Sequence, residues 1–222
     1  QEKIIYRIEY GKIRPSKSLQ DSIDKMLAGN REFIMLDEQK VVYEEILRAA
    51  RQSATDCKKR VIIVQGGPGT GKSVVAVNLL AQLTKEDQVC QYVSKNSAPR
   101  NVYEKKLKGS LRKSSIENLF SGSGSFTEAK ENMLDTILAD EAHRLNAKSG
   151  MFHNLGENQI KEIIHAAKCS VFFIDESQRV TLQDIGSVDE IKKWAMLENA
   201  EVKEMELTSQ FRCNGSDGYL AW

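Results

Sequence analysis

RVIIVQGGPGTGKSVVAVNLLAQL, from Arg60 to Leu83, decides how this chain is read. Val61, Ile62, Ile63 and Val64 make a short apolar run closed by Gln65, which predicts a buried strand. Gly66-Gly67-Pro68-Gly69-Thr70-Gly71-Lys72-Ser73 follows, and beyond it apolar residues recur at helical spacing. The turn satisfies G-x-x-x-x-G-K-[ST], the P-loop. A phosphate needs many backbone N–H donors aimed at one point, and only a glycine-rich segment curls tightly enough to supply them. The helix beginning near Lys72 adds the positive end of its dipole and its unpaired N–H groups. The motif therefore assigns Lys72 to the β and γ phosphates of a nucleoside triphosphate and the Ser73 hydroxyl to Mg²⁺.

Working outward, Leu134 to Ala139 (LDTILA) reads as a second buried strand, ended by Asp140-Glu141-Ala142-His143. A carboxylate at the end of a buried strand is the Walker B arrangement: Asp140 is expected to hold Mg²⁺, and Glu141 to orient and polarise a water for attack on the γ-phosphate. That second carboxylate favours hydrolysis over transfer to a small-molecule acceptor. Val89–Val93 (VCQYV) is a further strand, followed by the polar and basic stretch Ser94 to Arg100 at an edge where open α/β sheets bind ligands. Such residues suit a phosphate backbone, or are simply a loop. SVFFI, 170–174, predicts another buried strand with Asp175-Glu176-Ser177-Gln178 after it, and Gln178 is placed to sense the γ-phosphate. Glu201–Leu207 is the last predicted strand. Thr208-Ser209-Gln210-Phe211-Arg212 follows, where Arg212 could neutralise charge on the γ-phosphate and Phe211 could stack on a base.

Upstream, VVYEEILRAA reads as a helix with Asp37 as its N-cap. Gln39 in its first turn presents an amide, one donor and one acceptor, which matches the edge of adenine. Residues 1–35 form a preface, with a strand in IIYRIEY and a helix over about Ser18 to Leu27, and carry no visible chemistry. Lys105, Lys106, Lys108, Arg112 and Lys113 lie on a predicted helix as either a solvated face or a nucleic-acid patch. Ser121-Gly122-Ser123-Gly124-Ser125 reads as a mobile low-complexity loop.

Composition bounds these readings. With 41% hydrophobic residues the chain can build a packed core, and with a net charge of +1 any nucleic-acid site must be a local patch. No apolar run approaches the ~20 residues of a membrane-spanning helix. Cys57, Cys90, Cys169 and Cys213 are widely spaced and form no C-x-x-C pair, which suits reduced thiols in a cytoplasmic protein rather than a zinc site. His143, His153 and His165 show no metal spacing. No N-K-x-D motif for guanine is present. The chain starts at Gln1 and stops at Trp222 within NGSDGYLAW, as expected for a piece of a longer protein.

In order, Gln39, GGPGTGKS, the polar loop, DEAH, DESQ and SQFR resemble the first RecA-like domain of superfamily-1 helicases, closest to the helicase-like domain of the bacterial Schlafen-group proteins. The resemblance spans Leu36 to the end of the chain, with weaker likeness before it. It implies a three-layer α/β domain with a mainly parallel central sheet, over residues 36–222, binding ATP and Mg²⁺. It also implies adenine contacts from Gln39 and Phe211, γ-phosphate contacts from Gln178 and Arg212, and a second RecA-like domain elsewhere. In the full-length protein it implies single-stranded DNA or RNA as a partner and ATP-driven translocation or unwinding. A nucleotide-dependent switch acting on protein partners is the alternative. Ile174 stands where the third motif of that family usually has Gly, and the letters DEAH resemble superfamily 2.

Overall fold

Apolar runs that are continuous rather than alternating belong to strands covered on both sides, and the computed structural model, which describes residues 34–97, 118–150, 155–179, 181 and 183–208, arranges them so. In chain order the elements are α1 (Asp37–Asp56), β1 (Arg60–Gly66), α2 (Lys72–Lys85), β2 (Cys90–Ser94), β3 (Phe120–Ser121), β4 (Leu134–Asp140), α3 (Gln159–Ala166), β5 (Ala167–Ile174), α4 (Val188–Leu197) and β6 (Glu201–Leu207). The six strands form one sheet in the order β3-β2-β4-β5-β1-β6, and every pairing is parallel. β5 lies between β1, which leads into the glycine-rich turn, and β4, which ends at Asp140, so β1 and β4 are not neighbours.

Alternate residues of each strand face opposite layers. Ile62, Val64, Tyr92, Leu138, Val171 and Phe173 pack with α1 and α2. Val61, Ile63, Val93, Ile137, Ala139, Phe172 and Ile174 pack with α3 and α4. This is the expected three-layer α/β domain, with all seven residues of β4 buried.

Several local expectations shift. Asp37 is the first helical residue, not the N-cap; Leu36 takes that place, and its N–H donates to Gln39 Oε1 at 3.1 Å. β3 is an additional strand of two residues, too short to show any period. The Ser-Gly run after it is held in a defined 3₁₀ turn (Ser123–Phe126), because Phe126 is buried against the α3/α4 layer and Ser121 Oγ donates to Gln91 Oε1 at 3.1 Å. β5 starts at Ala167, immediately after α3 ends at Ala166. A helix normally needs a loop to satisfy its last carbonyls. Here the ammonium of Lys59, itself only 9% exposed, donates to the carbonyls of Ile164, His165 and Ala167 at 2.9, 3.3 and 3.2 Å. The N-terminal end of α3 is capped by Asn158, whose side chain accepts from the N–H groups of Ile160 and Lys161. No helix among the described residues is long and apolar enough to cross a membrane. The predicted strand and helix of the preface, the basic residues from Arg100 to Lys113, and Phe211 and Arg212 lie outside the described residues.

Candidate nucleotide-binding site

The P-loop leaves β1 and enters α2 through Gly71, which is the helix N-cap at φ 86°. A side chain there would be strained by that angle, and its Cβ would also fall 2.1 Å from Gln39 Nε2. Gln39 stands so close because it braces the loop: Nε2 donates to the Thr70 carbonyl at 2.9 Å, while Oε1 accepts the Leu36 N–H. Both ends of the amide expected to read adenine are therefore engaged by backbone, and the residue is 3% exposed. Thr70 Oγ1 donates to the Gly67 carbonyl at 3.0 Å, drawing the loop inward. Lys72 Nζ donates to the carbonyls of Gly66 and Gly67, at 2.5 and 2.8 Å. Pro68 and Gly69 form the outer part of the loop, Pro68 exposed and Gly69 at φ 80°.

Ser73, on the first turn of α2, meets the end of β4. Its hydroxyl donates to Asp140 Oδ2 at 2.6 Å. The Tyr92 hydroxyl donates to the same oxygen at 2.5 Å, and the Glu141 N–H donates to Oδ1 at 2.9 Å. Glu141 turns out of the strand in a left-handed conformation, φ 52°. Its carboxyl is half-buried and Oε2 has no hydrogen-bond partner. Burial, and then the neighbouring Asp140 carboxylate, push its pKa up, with Arg144 and Lys72 offsetting part of the shift.

His143 is buried and its Nδ1 accepts the Asp175 N–H at 3.4 Å, so the loop after β4 touches the loop after β5. Burial lowers the imidazole pKa, which favours a neutral ring with its proton on Nε2. Asp175 Oδ1 accepts from the N–H and hydroxyl of Ser177 at 3.2 and 2.6 Å, while Oδ2 is buried without a partner. Gln178 closes the 3₁₀ turn Glu176–Gln178 and is exposed at the same sheet edge.

The loops at this edge are laced together. Lys95 Nζ donates to Asn146 Oδ1 at 2.9 Å and pairs with Asp184 Oδ1 at 3.0 Å, where the Asp184 side chain is fully buried. Arg179 donates twice to the Gly186 carbonyl. Gly186 approaches Ala142 so closely that a Cβ would lie 1.9 Å from its carbonyl oxygen. Glu38 Oε1 accepts from the N–H and hydroxyl of Thr208, each at 2.8 Å, tying α1 to the exit of β6.

The structure thus brings Gln39, Gly66 to Ser73, Asp140, Glu141 and Gln178 to one edge of the sheet. Sequence reasoning gave no role to Tyr92, His143, Asp184 and Glu38, and read Ser94 only as the start of the polar loop. A tyrosine two residues before the end of a strand that leads to the ligand edge was the available signal for Tyr92; nothing marked the others.

The donor set fits a divalent cation with a triphosphate. Ser73 and Asp140 offer two hard oxygen ligands within hydrogen-bond distance of each other. Around them, Ser94 Oγ, Glu141 Oε2 and Asp175 Oδ2 are buried oxygens without partners, and Ser94 stands directly across from Asp140 in the register. Buried polar atoms normally have partners, so a cluster of orphans beside a P-loop marks a place built for polar groups from outside the chain.

The structure titled "crystal structure of DNA replication initiation factor" is similar with a TM-score of 0.43 and 18% identity, over 83% of this chain and 50% of that one. AMPPCP-bound DnaA from Aquifex aeolicus gives 0.42 and 16% over 82% of this chain and 53% of that one. PCH-2 from C. elegans gives 0.36 and 16% over 86% and 46%. The chain spans about half the length of each of these structures. No curated protein matches it. A family model described as "Schlafen group 3, DNA/RNA helicase domain" matches residues 59–222, from the start of the P-loop strand to the last residue. With the P-loop, the acid pair and the parallel sheet all inside that match, the chain belongs to the Schlafen group 3 DNA/RNA helicase domain family.

Proposed function

We propose that this domain binds Mg·ATP at the P-loop edge and hydrolyses it, and that in the longer protein turnover is coupled to movement along single-stranded DNA or RNA. The observation that carries the reading is the juxtaposition of Ser73 and Asp140 at 2.6 Å with the half-buried carboxyl of Glu141, whose Oε2 has no hydrogen-bond partner, next in the chain. Ser73 and Asp140 would hold the metal. Bound Mg²⁺ supplies charge neutralisation on the β and γ phosphates. The P-loop N–H groups and the α2 N-terminus orient the phosphates. Lys72 exchanges its Gly66 and Gly67 carbonyl partners for phosphate oxygens. Glu141, with its raised pKa, accepts a proton from the attacking water better than a free carboxylate does. Gln178 and Arg212 are assigned to the γ-phosphate and Phe211 to the base. Gln39 serves the adenine side either directly, by releasing Thr70, or by holding the loop in place.

One observation favours a second reading. Lys95, a candidate for the nucleic-acid backbone, is bound to Asp184 and Asn146 inside the protein. A nucleotide switch that acts on protein partners would need no basic groove there.

ATP turnover by the full-length protein, measured with and without single-stranded DNA and RNA, tests both. Stimulation by one polymer, abolished by Lys72→Ala, is the expected result. Turnover that depends on Lys72 but ignores both polymers would replace the motor by the switch. Turnover unchanged in Lys72→Ala would overturn the site itself.

A further inference from the structure

Tyr92 is fully buried, yet its hydroxyl is as near to Asp140 as any donor in the site, 2.5 Å from Oδ2. The register explains the reach. Tyr92 pairs with Leu138, and Asp140 lies two residues further along β4 on the same face, so the long phenol spans the diagonal between neighbouring strands. The ring has little freedom. Phe120 packs against it edge-on, with centroids 5.7 Å apart and planes at 60°, and the Tyr92 N–H donates to the Leu119 carbonyl at 2.8 Å.

Asp140 accepts from Ser73, Tyr92 and the Glu141 N–H. These donors differ in kind. Ser73 is itself assigned to the metal, so its proton is not a fixed support for the carboxylate. The Glu141 N–H holds one oxygen from within the same turn. Tyr92 holds the other from a different strand, through a ring locked in the core. Ligating carboxylates depend on such outer hydrogen bonds for their orientation.

We propose that Tyr92 is a positioning residue that sets the Asp140 carboxylate for the divalent cation. The inference rests on the reading of Ser73 and Asp140 as metal ligands. Phenylalanine at position 92 keeps the packing and removes only the hydroxyl. Loss of an outer-shell partner weakens metal binding by about 10–100-fold.

The test uses the 222-residue chain with Mn²⁺ as a spectroscopic probe and a non-hydrolysable ATP analogue. Mn²⁺ affinity is read by electron paramagnetic resonance in wild type, Y92F, D140N and the double variant, and analogue affinity is read separately in EDTA. Y92F is expected to weaken Mn²⁺ by about 10-fold or more, leave metal-free nucleotide affinity unchanged, and add nothing on the D140N background. Phe120→Leu loosens the seat of the ring but keeps the hydroxyl, and is expected to cost less Mn²⁺ affinity than Y92F. If D140N loses Mn²⁺ and Y92F does not, the metal site stands and the role of Tyr92 is overturned. An equal or larger loss in Phe120→Leu, or a loss in Y92F that persists on D140N, assigns the effect to packing and overturns it too. If wild type and D140N hold Mn²⁺ equally, the metal site is wrong and the inference falls with it.

Discussion

Glu141 carries a cost to the fold and, in the proposed mechanism, an advantage to the chemistry. Its carboxyl resists ionisation because it is half-buried beside Asp140. Glu141→Gln is expected to keep nucleotide binding and to lower ATP turnover by at least ~10²-fold, the size of a general-base effect; phosphate release and equilibrium binding measure the two separately. The same variant is expected to be the more stable protein at neutral pH. A carboxyl whose folded pKa is raised contributes stability that is fully present below its unfolded pKa and is lost as pH rises through the folded value. The gain in melting temperature of the Gln variant should therefore vanish at pH below the ordinary carboxylate range and be largest at neutral pH. A gain that ignores pH would mean that ionisation is not the cause. Gln39 is tested by comparing nucleotides. If it braces Thr70, Gln39→Ala weakens ATP and GTP alike; if it reads adenine, only the preference between them changes. The structure leads us to expect the first. Lys72, Ser73, Asp140 and Glu141 could be nominated from residue type and spacing along the chain alone. Tyr92 could not, and Ser94 stood out only as part of a polar loop, because their placement against Asp140 depends on β2 lying beside β4, and strand order is not written in any single stretch.

At the level of elements, the junction between α3 and β5 is held by the Lys59 ammonium together with the Asn132 N–H, which donates to the His165 carbonyl. Lys59→Met would remove the ammonium donor from the buried carbonyls of Ile164 and Ala167, while the His165 carbonyl keeps the Asn132 N–H at 2.9 Å. A buried group left unpaired costs about 1–3 kcal/mol, and a fall in melting temperature or urea midpoint of at least that size is expected. A wild-type melt would show that water takes over the lysine's work. The strands β1, β4 and β5 and the helix α2 were readable from their apolar runs. β3 was not, because two residues carry no period, and the Ser-Gly run was read as mobile because composition cannot show that Phe126 anchors it. Asp37 was misplaced as the N-cap because Gln39, two residues later, satisfies the Leu36 N–H instead.

At the scale of the whole molecule, both faces of the central strands β1, β4 and β5 are covered, while β6 at the edge is largely exposed. Cys90 and Cys169 lie inside the layer formed with α1 and α2, and burial pushes each thiol up to about 12. They are expected to stay protonated and to resist iodoacetamide in the native protein, while the exposed Cys57 is labelled; peptide mass spectrometry reads each site, and native labelling of Cys169 would mean that the layer opens. The layered architecture was legible from continuous apolar strands separated by helical runs. That β5 sits between β1 and β4 was not, since both orders bury the same residues. The abutment of Ala166 and Ala167 then acts as a phase lock. One inserted residue there would have to rotate α3 by about 100° or advance β5 by one step. Advancing the strand exchanges Phe172 and Phe173 between two greasy faces, an error the core would hardly register as exposed surface. It would also bring Ile174 to the place where Asp175 now meets His143. The chain has no spare length at that point, and this absence of slack keeps an otherwise ambidextrous strand delivering its acid, rather than its neighbour, to the nucleotide edge.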